Sequence, residues 1–101
     1  MGIGVRFKVE DDVVKEIHKV VVHTFLLSDV DDPDIYAAGP IFDWQRSEAG
    51  QFVMKHAVDT PSYHKQIDHQ ILGYRFAITA ELEKKKLSEF YLRWGKPNGN
   101  P

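Results

Sequence analysis

A chain of 101 residues with 43% apolar and 28% charged side chains fits one domain with one core, and it is too apolar for disorder throughout. Its net charge of −2 argues against a dedicated duplex-DNA binder, which needs a basic excess to neutralise phosphates. With no cysteine, disulfides, thiolate catalysis and cysteine-ligated zinc or iron–sulfur sites are excluded.

The first eight residues hold no long apolar run, so no signal peptide is expected. The most apolar stretch, residues 20–27, contains His23 and Thr24 and is far too short to span a bilayer. Arg6 stands where a myristoylation motif on Gly2 needs Ser or Thr. The expected location is the cytoplasm, with no membrane partner.

Val5, Phe7 and Val9 alternate with Arg6, Lys8 and Glu10, the period of a short half-buried strand. Asp11-Asp12 interrupts it, and residues 13–16 fit no single period. Residues 17–27 (IHKVVVHTFLL) are rich in β-branched side chains and read as the clearest strand. Strict alternation puts Val20, Val22 and Leu26 on one face and Val21, Phe25 and Leu27 on the other. With both faces apolar, the strand is expected to be interior and covered on both sides.

Residues 28–34 form a loop in which Asp32 is placed to cap a helix and Pro33 to occupy its first position. Gly39-Pro40 limits that helix to about a turn. The spacing of Ile41, Gln45, Ala49, Phe52, Val53 and His56, with Trp44 beside them, predicts the principal helix over residues 40–57. Gly50 within it costs ~1 kcal/mol relative to Ala, and marks either a close approach to the sheet or a break into two helices. Residues 58–71 read as a long polar connection. Tyr74, Phe76, Ile78, Ala80 and Leu82 alternate as a strand with one core face. Phe90, Leu92 and Trp94 repeat the pattern after Lys84-Lys85-Lys86 and favour a hairpin. Helical spacing of Leu87, Phe90, Tyr91 and Trp94 is the rival reading.

The predicted fold is α+β. One domain over residues 1–94 carries a three- to four-stranded, mainly antiparallel sheet, with the 40–57 helix packed on one face, followed by a disordered tail at 95–101. The expected core is Val20, Val22, Phe25, Ile41, Trp44, Phe52, Val53, Phe76, Ile78, Phe90, Leu92 and Trp94.

Candidate chemistry is sparse. Asp29, Asp31, Asp32 and Asp34 suggest calcium, but the EF-hand pattern fails, with Asp34 where glycine is needed and Pro40 at the twelfth position. His18 and His23, five apart on a strand, point to opposite faces and cannot share an ion. His64, Asp68 and His69 come nearer to a ligand or catalytic set, yet their spacing matches neither a helical zinc pair nor a finger. Ser62 beside His64 lacks a nucleophile elbow, and no phosphate-binding glycine loop exists. Lys84, Lys85, Lys86, Arg93 and Lys96 interleave with Phe90, Tyr91 and Trp94, the material of a single-strand binder. The alternation of those aromatics and the acidic balance instead favour core aromatics under a lysine-rich turn. Neither metal, cofactor nor nucleic acid is expected.

One longer pattern stands out: Asp31-Asp32-Pro33-Asp34-Ile35-Tyr36-Ala37-Ala38-Gly39-Pro40-Ile41, then Trp44-Gln45, Ser47-Glu48 and Gly50-Gln51-Phe52-Val53-Met54. It resembles small proteins of tailed bacteriophages, including marine ones, that carry an Asp-Pro-x-x-Tyr-Ala-Ala block followed by a Trp-Gln and Gly-x-Phe/Trp-Val-Met helix. Gly73-Tyr74-Arg75-Phe76-Ala77-Ile78 and Leu92-Arg93-Trp94 match the later strand and terminus of those proteins, so the resemblance covers residues 24–95. It implies a phage-encoded accessory protein in the host cytoplasm and favours the terminal hairpin, and it carries no catalytic residues.

The leading functional expectation is a non-enzymatic accessory protein that binds another protein, with a host factor as the candidate. The alternatives are a minor virion or assembly component, and a small enzyme using His64, Asp68 or His69. One long helix covers only one face of the two-sided strand. Val21, Phe25 and Leu27 are therefore the expected protein interface, giving a homodimer or a constitutive partner. In the alternative, residues 1–16 fold back and cover that face.

Overall fold

The computed structural model describes residues 4–95. In chain order these form β1 (Gly4–Glu10), β2 (Val13–Ser28), α1 (Pro33–Arg46), α2 (Glu48–His56), β3 (Ser62–Asp68), β4 (Gly73–Glu83) and α3 (Lys84–Trp94). The strands make one antiparallel sheet in the order β1-β2-β4-β3, curled into a half-barrel. The architecture is α+β, with three helices against one face in place of a single principal helix.

Asp11 and Asp12 both take left-handed backbone, φ 53° and 64°. That is what a two-residue turn needs to match the twist of its strands, so the interruption seen in the sequence is a hairpin tip and β2 starts immediately after it. β1 is a strand as expected, but every residue in it is exposed rather than half-buried.

β2 departs from strict alternation. Its pairing with β4 shifts between Val21, opposite Thr79, and His23, opposite Ile78. The bulge adds one residue to β2, so His23, Phe25 and Leu27 change faces. Phe25 then lies opposite Phe76 on the helix-covered face, while Val21 stays with Thr79 on the outer face. The expectation that Val21, Phe25 and Leu27 share a face is thereby overturned.

α1 runs through Gly39-Pro40 instead of stopping there. The usual bar to helix before proline is a clash between the proline ring and the preceding side chain, and Gly39 has no Cβ to clash. The carbonyl that Pro40 cannot satisfy belongs to Tyr36, in an exposed turn. Asp32 occupies the cap position without a side-chain capping bond. Its carbonyl accepts from the Ile35 and Tyr36 amides at 3.1 and 3.3 Å.

The expected 40–57 helix is broken at Ser47, whose hydroxyl accepts from the Gly50 amide at 3.0 Å and donates to the Trp44 carbonyl at 2.6 Å. Gly50 makes the join possible: a Cβ there would lie 1.7 Å from the Trp44 carbonyl oxygen. The close approach is to the end of α1, not to the sheet.

Two further expectations fail. The 58–71 connection contains β3, a mostly polar edge strand paired with β4 from Ser62 opposite Thr79 to Asp68 opposite Gly73. The terminal hairpin is replaced by α3. No residue from Glu83 to Leu87 takes φ > 0, as a tight hairpin turn would need, and helical spacing buries Leu87 and Phe90 together. Lys86–Glu89 and Arg93–Glu89 pairs line its outer side. Leu92, expected in the core, is 88% exposed.

The core lies between the sheet and the helices: Val22, Ile78, Ala80 and Leu82 from the strands meet Trp44, Phe52, Val53, Leu87 and Phe90. Val20, Phe25, Ile41 and Trp94 pack around it half-buried. On the outer face Ile17 is 1% exposed although no helix covers it. It sits across from Arg6 and Glu83, long side chains whose apolar stems shield it while their charges stay in water. Gly95 ends α3 with φ 75°; the rest of the expected tail lies outside the described residues.

Candidate functional site

His64 and Asp68 stand on the same face of β3, four residues and therefore about 13 Å apart along the strand. His64 Nε2 is 3.3 Å from the Thr79 hydroxyl, which also meets the Ser62 hydroxyl at 3.1 Å. Asp68 accepts from the Arg75 guanidinium at 2.8 Å and from the Gln70 amide at 3.0 Å. The Arg75 bond holds its carboxyl below the usual range, so it closes a turn as an anion. His69 lies in that turn. An open depression of about 340 Å³ is lined by Gln66, Asp68, His69 and Arg75. The fold spreads these three residues along an edge and does not converge them on a reacting atom.

The bulge also changes the histidine geometry of β2. His18 lies opposite Leu82 and His23 opposite Ile78, so both point to the helix face, contrary to the expectation from spacing. They remain about 16 Å apart along the strand, and His18 Nε2 sits 2.6 Å from Glu16. Of the Asp29–Asp34 cluster, Asp34 pairs with Lys65 at 3.4 Å. Among the described residues no three His, Cys, Asp or Glu side chains gather as a metal site. No helix among them is long and apolar enough to cross a membrane.

His23 does line a half-open cleft of about 410 Å³ with Trp44, Ser47, Ala49, Phe90 and Trp94. Its ring stacks on Trp44, centroids 6.1 Å apart, and burial holds its pKa below the usual value. The Ser47 hydroxyl is already used at the α1–α2 join. The aromatics of α3 serve the core as well: Phe90 and Trp94 pack on Phe52, and Arg93 lies 4.8 Å over the Trp94 ring. They do not form an open stacking platform, and Lys96 lies outside the described residues.

A cluster of exposed apolar side chains lies elsewhere. β4 reaches along β2 only as far as Ile17, opposite Glu83. Beyond that point residues 13–16 pair with β1 alone, and the hairpin projects as a two-stranded arm. The alternation of β1 puts Val5, Phe7 and Val9 on one side, Phe7 and Val9 on the arm itself and Val5 at its base, joined by Val14 opposite Val9, with Glu16 and His18 across from Phe7 and Val5. Val5, Phe7, Val9 and Val14 are 54%, 66%, 69% and 64% exposed. The other side carries Arg6, Lys8, Glu10 and Lys15, tied by Arg6–Glu81 at 2.8 Å, Lys15–Glu10 at 3.1 Å and Lys8–Glu10 at 3.6 Å. The Arg6 guanidinium holds the Glu81 carboxyl below its ordinary value.

Of the residues expected to form an interface, Val21 is buried on the outer face, and Phe25 is stacked on Phe76 at 5.0 Å. Leu27 lies opposite Tyr74 on the helix side. The three do not make a common patch. In the alternative, residues 1–16 fold back and cover that face of β2; β1 does fold back as a strand, but it pairs with the edge of β2 and does not lie over its face. The alternation of Val5, Phe7 and Val9 was visible in the sequence. What revealed it as free surface was the missing third strand over residues 13–16.

Comparison with protein-family models, with curated proteins and with solved structures gives no match.

Proposed function

We propose that this is a non-enzymatic accessory protein that acts by protein–protein contact, with the apolar side of the β1–β2 arm as its docking face. One observation carries this reading: Val5, Phe7, Val9 and Val14 form an exposed apolar strip that follows β1 onto the projecting hairpin. Isolated two-stranded hairpins are marginal in water, and contiguous apolar surface of this kind marks interaction sites. The dispersal of His64, Asp68 and His69 along an edge supports binding over catalysis. The Asp32-Pro33-Asp34-Ile35-Tyr36-Ala37-Ala38 block, through its resemblance to phage proteins, supports a phage origin and a partner in the host cytoplasm. Self-association belongs to the same reading.

The test is capture from a host lysate with three tagged forms: wild type, Phe7→Asp/Val9→Asp, and Leu92→Asp. Leu92 is the control because it is exposed on α3, away from the arm. A partner retained by wild type and Leu92→Asp but lost from the arm variant is the expected result. A partner held equally by all three removes the arm from the proposal.

A further inference from the structure

We infer that the arm's occupant is a second copy of this chain, with β1 pairing antiparallel to β1 across a two-fold axis at Lys8. The inference rests on the reading of the arm as a docking face. The two-residue turn at Asp11-Asp12 makes Glu10 and Val13 a hydrogen-bonded pair, and alternation extends this to Lys8–Lys15 and Arg6–Ile17. The amides and carbonyls of Val5, Phe7 and Val9 therefore point away from β2, along an edge no other described strand occupies. Such an edge is a template for strand addition.

Edge charges normally deter that addition. Here Arg6 and Lys8 lie on the side opposite the apolar strip and are bonded to Glu81 and Glu10. The order of charges selects the register. Centring the axis on Phe7 would set Arg6 opposite Lys8 of the second copy twice, and like charges directly opposed are destabilising. Centring it on Val9 would leave Phe7 facing Asp11 in the turn. Centring it on Lys8 places Arg6 opposite Glu10 of the second copy, twice by symmetry, and Phe7 opposite Val9 in two hydrogen-bonded pairs. One Lys8–Lys8 contact remains, with Glu10 at hand on each strand. The two apolar strips then become continuous, and an isologous contact of this kind closes after two copies.

The chain has no cysteine, so a single introduced thiol reports the register directly. At the axis, residue 8 forms a non-hydrogen-bonded pair with Cα atoms about 4.5 Å apart, within disulfide reach. Residue 7 of one copy lies diagonal to residue 7 of the other, beyond that reach. The expected results are a light-scattering mass of twice 11.6 kDa for the full chain, a covalent dimer on mild oxidation of Lys8→Cys, and little from Phe7→Cys. Phe7→Asp should raise the dimer dissociation constant at least ~30-fold, and Leu92→Asp should leave it unchanged. A monomeric wild type overturns the self-pairing, while loss of lysate capture by the arm variant would still uphold the docking face. A dimer trapped through residue 7 in preference to residue 8, or one indifferent to Phe7→Asp, overturns the proposed geometry.

Discussion

Phe25 and Phe76 face each other across β2 and β4 with ring planes 1° apart and centroids 5.0 Å apart, a contact that exists because the bulge at Val21/His23 returns Phe25 to the helix side. Phe76 is fully buried, so Phe76→Ala is expected to cost ~3–5 kcal/mol, and Phe25→Ala, half-buried, less. A double-mutant cycle by chemical denaturation should return a coupling of ~0.5–1.5 kcal/mol for the ring pair. Full additivity would mean that the rings do not interact.

The α1–α2 join gives a second test. Ser47→Ala removes the cap of α2 and is expected to cost ~1 kcal/mol. Gly50→Ala adds one methyl group against the Trp44 carbonyl, and should cost at least ~2 kcal/mol despite alanine's better helix propensity. A stabilised Gly50→Ala protein would show that the two helices do not meet as described.

The C-terminal helix separates two neighbouring leucine and phenylalanine positions that a strand would place together. Phe90→Ala should cost ~3–5 kcal/mol, while Leu92→Ala should stay within about 0.5 kcal/mol of wild type. Equal losses at both positions would restore the hairpin reading of this segment.

A pH dependence follows from two histidines. Burial holds His23 below its ordinary 6.5. His56 is lowered as well, by burial first and then by the Lys86 and Lys55 charges. With folded-state values below the unfolded ones, the unfolded chain binds more protons in the window between them. Stability from this source is complete above 6.5 and is lost as pH falls from there toward the folded values. The urea midpoint should therefore drop between about pH 7.5 and 5.5, and His23→Gln/His56→Gln should flatten the slope. Glu81 and Asp68, lowered by their arginine partners, act in a separate and more acidic window. An unchanged slope in the double variant would sink the assignment.

The alternating strand at residues 74–82 was legible because one of its faces is apolar and continuous. Phe52 and Val53 were legible by helical spacing, with Trp44 beside them, whereas Phe90 was legible as a core residue through the alternation of a strand that the structure replaces with α3. The bulge was not: nothing in Val21-Val22-His23 differs from an ordinary β run, and its position is set by β4, a long-range partner. β3 is an edge strand with mostly exposed side chains and so has little hydrophobic signature; only Tyr63 and Ile67 alternate. Pro40 reads as a helix stop in the sequence, and the missing Cβ of Gly39 is what lets α1 continue through it. At the candidate site the apolar alternation of β1 was plain, but its exposure depended on how far β4 extends along β2.

The central ladder joins β2 to β4, and even its closest partners, Ser28 and Gly73, are 45 residues apart in the chain. β1–β2 and β3–β4 are local hairpins that need only short loops to close. During synthesis, the first hairpin leaves the ribosome with the inner edge of β2 unpaired until most of the remaining chain has emerged. Loop closure over such a distance is slow compared with hairpin formation. The late step expected in folding is therefore the pairing of these two hairpins with each other. Until it occurs, the apolar run of β2 is the segment of this protein most open to capture by another chain.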